Sequence, residues 1–257
     1  MFLGKKGGSN RLKREAAPWF WPIHRKELHW ALKPRPGPHP TRRCLPLTLI
    51  VREILGFAKT RREAKRIVSE GKITVDGKVR RDDLFPVGMM DVISIPEIEK
   101  HFRVLPCSDG LRLHPIGSEE AKFKLCRIEG KAVVKGGNIQ LNMHDGRNLL
   151  IKVKDPQNPV EDVYNLFDTL KISLENQEIL EHFKMAEGSF AIFTGGKNMG
   201  RYGNIISIER KAGSKKELSL VTIRDSNEET YQTTLNYVFV IGDEKPRISL
   251  PHVKEAL

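Results

Sequence analysis

Lys59-Thr60-Arg61-Arg62-Glu63-Ala64-Lys65-Arg66-Ile67-Val68 is the stretch that decides how this chain is read. Thr60 followed three residues later by Glu63 is a capping box, which predicts a helix starting at Arg61. At about 100° per residue, Arg61, Arg62, Lys65 and Arg66 share an arc of roughly 140°. Ala64, Ile67 and Val68 lie on the other side. One face can pack while the other presents four cations. Upstream, Leu47, Ile50, Val51, Ile54 and Leu55 keep helical spacing, and Gly56 is placed to cap that helix. After Gly71 the period changes. Ile73, Val75 and Val79 around Asp76-Gly77 predict a hairpin with a tight turn. Lys78, Arg80 and Arg81 follow that turn. A basic helix face alone is more often just a solvated surface. Two helices plus a hairpin, with cations on the second helix and past the turn, suit a phosphate backbone recognised by shape.

Charge supports that direction. The 257 residues carry 44 Lys and Arg against 32 Asp and Glu, a net charge of +12 with a pI near 9.6. Residues 1–43 hold eleven cations and two anions, residues 44–95 hold ten and seven, and residues 96–257 hold 23 of each. All the excess lies in the first 95 residues, so contact with an acidic polymer is expected there. A chain of this length is expected to form two or three domains. Cys44, Cys107 and Cys126 are widely spaced and form no C-x-x-C pair, which argues against a zinc ribbon and for a reducing compartment. No apolar run reaches membrane-spanning length. No secretion signal is visible, and a cytoplasmic protein is expected.

Along the chain, residues 1–18 are rich in Gly, Lys and Arg, with Lys5, Lys6, Arg11, Lys13 and Arg14 as cations. A self-repelling tail of this kind is expected to be disordered when free, and the arm 1–43 to fold only on RNA. Trp19, Trp21 and Trp30 follow, for which packing of an arm onto the body is favoured over base stacking. Lys33-Pro34-Arg35-Pro36-Gly37-Pro38-His39-Pro40 predicts an extended strap, leading to Arg42 and Arg43. Val92 to Ile95 is expected to close the first domain, with Pro96 as its boundary. The middle is strand-rich: Leu125–Ile128, Ala132–Val134, and a hairpin of 139–142 with 149–153 around Asp145-Gly146. His144 beside Asp145 suggests catalysis, but with no identifiable partner it is assigned as a surface turn residue.

Residues 188–208 place two apolar strand runs around a loop with Gly195, Gly196, Gly200 and Gly203. A nucleotide-binding loop fails here, because Asn198 stands after Lys197 where Ser or Thr is needed and a strand rather than a helix follows. The glycines allow tight turns and close backbone approach, and Lys197, Asn198 and Arg201 sit on the loop. Further strands are expected over residues 218–223 and 231–242.

Two resemblances organise these parts. The order from Leu47 through Gly56-Phe57-Ala58-Lys59-Thr60 and the basic helix to Val75-Asp76-Gly77-Lys78-Val79 resembles the S4-type, or alpha-L, RNA-binding domain, over about a fifth of the chain. The glycine loop resembles a KOW unit, a small β-barrel. Together with Leu12-Lys13-Arg14-Glu15-Ala16-Ala17-Pro18, Arg35-Pro36-Gly37-Pro38-His39, Met90-Asp91-Val92, His144-Asp145-Gly146, residues 194–201 and Val238-Phe239-Val240-Ile241-Gly242, they resemble the archaeal and eukaryotic type of small-subunit ribosomal protein S4, the "e" family, in an archaeal-like form. The resemblance implies an α+β, multi-domain protein: basic arm 1–43, alpha-L domain 44–95, strand-rich domain 96–174, KOW-type barrel 175–242 and tail 243–257. It implies ribosomal RNA and neighbouring small-subunit proteins as partners. It implies no catalysis, cofactor, metal, membrane or small-molecule substrate. An RNA-modifying enzyme with an alpha-L domain, such as a pseudouridine synthase, would need a Gly-Arg-Leu-Asp-type segment, which is absent. A KOW-type transcription factor would leave the basic arm and alpha-L domain unexplained.

Overall fold

The computed structural model of the protein describes residues 11–24, 26–155, 159–209, 219–225 and 228–251. The arm pairs on itself: β1 (Leu12–Lys13) is antiparallel to β2 (Trp30–Ala31), and Arg14 Nη2 donates to the Ile23 carbonyl at 2.6 Å. The arm is thus paired on itself from Leu12; Lys5 and Lys6 lie outside the described residues. Trp21 is buried, and its indole N–H donates to the Cys44 carbonyl at 2.8 Å, so it serves packing as expected. Trp19 and Trp30 stay exposed.

The first domain opens with β3 (Cys44–Pro46) and a short α1 (Leu47–Leu49) that widens into a π-helix over Ile50–Ile54. Gly56, at φ +68°, ends it as the capping argument requires. Next come α2 (Arg61–Ser69), β4 (Thr74–Val75), β5 (Lys78–Val79), β6 (Pro86–Gly88) and β7 (Val92–Ile95). Asp76 and Gly77 both take positive φ, +52° and +73°, the geometry of a two-residue hairpin turn. Leu47, Leu49, Ile50, Val51, Ala64, Val68 and Val75 share one core with Trp21 and Val87. Each large apolar side chain in it contributes about 1.5–3 kcal/mol by burial.

The sheet does not stop at the boundary expected at Pro96. β8 (Lys100–Cys107) pairs with β7, and β9 (Gly110–Ile116) pairs with β8, giving the order β5-β4-β7-β8-β9. Pro106 and Pro115 argue against strands here. Pro106 lies beyond the residues of β8 paired to β7, and Pro115 is on the edge strand, so neither breaks a ladder.

The second sheet has the order β12-β11-β10-β13-β14. β10 (Phe123–Val133) is one long strand, bulged between Ile128 and Gly130; the others are β11 (Ile139–Met143), β12 (Asn148–Ile151), β13 (Thr169–Ser173) and β14 (Ile179–Phe183). The third sheet is antiparallel in the order β18-β17-β16-β15-β19. It contains β15 (Phe190–Phe193), β16 (Tyr202–Glu209), β17 (Leu220–Arg224), β18 (Thr230–Thr234) and β19 (Val238–Gly242). Its core, with Phe193, Phe239 and Ile241, also takes in Met90 from the turn before β7, Leu105 of β8 and Leu125 of β10. Strand dominates the described residues, and regular α-helix is confined to the first domain, so the helical share is smaller than an α+β class suggests.

Candidate nucleic-acid interface

α2 begins as its sequence dictates. The Glu63 N–H donates to Thr60 Oγ1 at 3.3 Å, and Glu63 Oε2 accepts from the Thr60 N–H at 3.3 Å and the Lys59 N–H at 2.9 Å. These donors hold the Glu63 carboxyl below its ordinary range, Lys59 N–H first. Ala64 and Val68 are buried and Ile67 half-buried, which turns Arg61, Arg62, Lys65 and Arg66 to solvent. Arg66 pairs with Glu70 one turn on, at 2.9 Å. Arg61 leans to Asp83 at 3.8 Å, and Arg35 of the strap reaches neighbouring Asp82 at 3.5 Å. One acidic turn thus gathers the start of α2 and the strap. Arg62 and Lys65 are exposed and form no ion pair among the described residues.

The hairpin cations divide in the same way. Arg80 lies over the Phe85 ring at 4.3 Å and is half-buried. Lys78 and Arg81 are exposed, and a Cβ built on Gly71 would lie 3.6 Å from Arg81 Nε, which places Arg81 against the turn that ends α2. Lys59, Lys13, Arg42 and Arg43 are exposed, and Arg11 stacks on Trp30 at 5.7 Å. Arg14 is spent inside the arm, as described. On the glycine loop Lys197 is exposed, the Asn198 carbonyl accepts from the Arg201 N–H at 3.2 Å, and Arg201 is drawn to Glu229 at 3.3 Å and over Tyr231 at 4.2 Å. The loop needs its glycines. Gly200 has φ +86°, and its Cβ would meet Cys107 backbone at 2.6 Å; at Gly203 the clash with the Arg224 carbonyl would be at 1.9 Å. The expected cations therefore form an exposed surface on α2 and past the hairpin. Arg14, Arg80 and Arg201 are engaged by the protein itself.

Beneath this surface lies a charge cluster that pattern reasoning does not find. Lys124 of β10 is fully buried. Its Nζ donates to Asp76 Oδ2 at 2.8 Å and to Asp91 Oδ1, and lies 3.0 Å from Asp145 Oδ2. Arg147 closes on Asp76 at 2.7 Å and Asp145 at 3.1 Å, and His39 Nε2 lies 3.0 Å from Asp91 Oδ1. Backbone N–H groups complete the carboxylates: Val92 to Asp76 and Gly88 to Asp91. Burial pulls each charge toward neutrality. Against it, the Lys124 ammonium and His39 hold Asp91 well below its usual range, and Lys124 with His144 brings Asp145 to about 2. For Asp76 burial wins, and its carboxyl is raised. Burial lowers Lys124, but Asp91 and Asp76 carry it well above its ordinary value. The cluster joins strap, first domain and second sheet.

His144 is at a turn as expected, but it is no lone surface residue. Its Nδ1 accepts the Arg127 N–H at 3.2 Å, its Nε2 faces the Met89 carbonyl at 3.3 Å, and its ring packs edge-on against Phe239. Both contacts suit the neutral Nε2–H tautomer. Burial, then the Lys124 charge, lowers it to about 3. Cys126, His144 and Asp145 lie close enough to suggest metal ligands. These atoms are already engaged: Lys124 supplies the cation at Asp145, 3.0 Å away, and the Cys126 thiol donates to the same Asp145 Oδ2 at 3.6 Å. Arg127, also buried, donates to the Asn236 and Val238 carbonyls at 2.8 and 2.9 Å and pins β10 to the third sheet. The signal for these residues is weak. Lys124 and Arg127 stand in a strand buried on both faces, where no alternation marks them, and their partners lie many residues away.

The chain matches the sequence family "Ribosomal family S4e" over residues 98–179, the S4 domain over 50–93 and the RS4NT (NUC023) domain over 6–42. It is 54% identical to the small ribosomal subunit protein eS4 of Aeropyrum pernix over 250 residues, covering 97% of this chain and 98% of that protein. The chain belongs to the ribosomal S4e family. The eS4 protein of Methanocaldococcus jannaschii is 46% identical, with 96% and 100% covered. The crystal structure of the 30S ribosomal protein S4e from Thermoplasma acidophilum matches with a TM-score of 0.64 at 32% identity, over 78% of this chain and 96% of that one. The S4 match spans α2 and the hairpin, the elements that carry the exposed cations. The S4e match begins at residue 98, just before β8, inside the first sheet.

Proposed function

We infer that this protein is a structural component of the small ribosomal subunit, bound to ribosomal RNA and supporting translation without catalysis. The observation that carries the RNA contact is the unspent charge of α2: Arg62 and Lys65 stand exposed, without ion pairs among the described residues, on a helix whose opposite face is locked into the core. Lys59, Lys78 and Arg81 are further exposed cations of the same domain, and Lys13, Arg42 and Arg43 are exposed on the arm. Cations held on rigid elements suit phosphates, since double-stranded RNA is recognised mainly by shape and backbone. In this reading the arm 1–43 and the alpha-L domain 44–95, which hold the excess positive charge, carry most of the RNA contact. For the C-terminal unit we propose a KOW-type barrel, supported by its five antiparallel strands and its glycine-dependent loop carrying Lys197 and Asn198. Cytoplasmic ribosomes are the proposed location, with neighbouring small-subunit proteins as further partners. Among the described residues no helix is long and apolar enough to cross a membrane. Crosslinking the protein in purified small subunits and sequencing the attached RNA tests the reading. RNA on peptides of residues 59–66 and 78–81 is expected; its absence from both contradicts the assignment.

A further inference from the structure

At the meeting point of the arm, first domain, central sheet and C-terminal sheet lies a partly open cavity of about 350 Å³. Its size falls within the roughly 300–1,000 Å³ of small-ligand sites, far too small for a duplex. Three aromatic rings line it: Trp19 and Phe20 from the arm, which meet edge to face at 6.1 Å, and Tyr237 from the turn before β19. Trp19 is 69% exposed, so its indole face is not consumed by packing. Two guanidiniums, Arg42 and Arg43, also line the cavity; both are exposed and form no ion pair among the described residues. Deeper in, Arg127 pairs with Glu129 at 2.9 Å, and that carboxylate remains 44% exposed. The site thus combines flat apolar faces, two unbalanced cations and one carboxylate acceptor.

We propose that this cavity receives a single unstacked nucleotide of ribosomal RNA, its base against Trp19 and Tyr237 and its phosphates on Arg42 and Arg43. The assignment rests on the reading that the protein binds ribosomal RNA, and goes beyond it by naming a second contact of a different kind. The α2 face offers charge alone. The cavity offers aromatic faces, on which a base at a bulge or loop can stack. Guanidiniums match phosphate oxygens through paired N–H groups. The Glu129 carboxylate can accept from an exocyclic amino group, as acidic side chains do from cytosine N4. An acidic peptide would use the two arginines but leaves the aromatic faces without a matching partner.

Purified small subunits irradiated at short wavelength provide the first test. A nucleotide remnant is expected on the peptide containing Trp19 and Phe20, or on that containing Tyr237. Binding of the full-length protein to purified small-subunit RNA, titrated with salt, provides the second. Trp19→Ala combined with Tyr237→Leu is expected to weaken binding roughly 5- to 150-fold, the loss of about one stacked base, with the salt slope unchanged. Arg42→Ala with Arg43→Ala is expected to lower that slope by about 1.4, at about 0.7 per single-strand phosphate. Should the double aromatic variant misfold, Trp19→Ala alone is read, because its side chain is exposed. No remnant on these peptides and unchanged affinity, while Arg62→Ala with Lys65→Ala still weakens binding, overturns the cavity assignment and leaves RNA binding intact. A crosslink there to another protein's peptide overturns it in favour of a protein partner. Failure of the unaltered protein to bind the RNA at all removes both.

Discussion

Two regions of this molecule use the same residue types for opposite ends. Around Lys124, three carboxylates, an ammonium, a guanidinium and His39 are sealed between strap, first domain and central sheet, each satisfied by another. On α2, Arg62 and Lys65 face solvent with no ion pair among the described residues. The buried set holds domains together, and losing one member leaves the rest desolvated without compensation. The exposed set contributes almost nothing to stability, since surface charges rarely do. Charge in this protein thus has two meanings, and burial decides which one applies.

Changing Lys124 to Met should have the largest effect. Three carboxylates lose their central partner, so denaturant unfolding should show a loss of about 3–5 kcal/mol. A loss below about 1 kcal/mol would mean that the cluster is replaceable and the contrast overstated. Acid should act next. With His144 lowered to about 3 in the fold against an ordinary 6.5, the unfolded chain binds the extra proton between those values. The His144 contribution to stability is therefore complete above about pH 6.5 and is lost as pH drops toward 3, by up to about 1.4 kcal/mol per pH unit for one proton. Asp145, at about 2, adds its own loss only below about pH 4. His144→Asn keeps an acceptor for the Arg127 N–H and should flatten the curve between pH 6 and 4; an unchanged slope would place the proton elsewhere. Thr60→Ala should cost about 1 kcal/mol by removing the cap while leaving every cation of α2 in place. Thermal unfolding measures it, and an unchanged midpoint would show that Glu63 alone suffices.

Much of the α2 region was legible in the sequence. Thr60 with Glu63, the apolar set Ala64, Ile67 and Val68, and the Asp76-Gly77 turn are local devices whose geometry follows from a few neighbours. The turn at Asp145-Gly146 was legible for the same reason. The strand-rich character of residues 97–172 is legible, but β8 and β9 individually are not, although Asp109-Gly110 sits in their turn, because Pro106 and Pro115 weigh against strands unless the pairing is known. The Lys124 cluster could not be seen. Its members come from positions 39, 76, 91, 124, 145 and 147, each an ordinary turn or strand residue by itself, and charge in sequence suggests exposure. Even Asp76 was recognised only as a turn former, while in the fold it also anchors Lys124 and Arg147.

The smallest effect on stability should come from Arg62→Ala combined with Lys65→Ala, within about 0.5 kcal/mol of the unaltered protein. The same variant tests the central claim most directly, through the salt dependence of its binding to purified small-subunit RNA. Two lost phosphate contacts should weaken binding and reduce the slope of log affinity against log salt by about 1.4–1.8. An unchanged slope and affinity, with the fold intact, would contradict the assignment of this face and leave its cations as solvated surface.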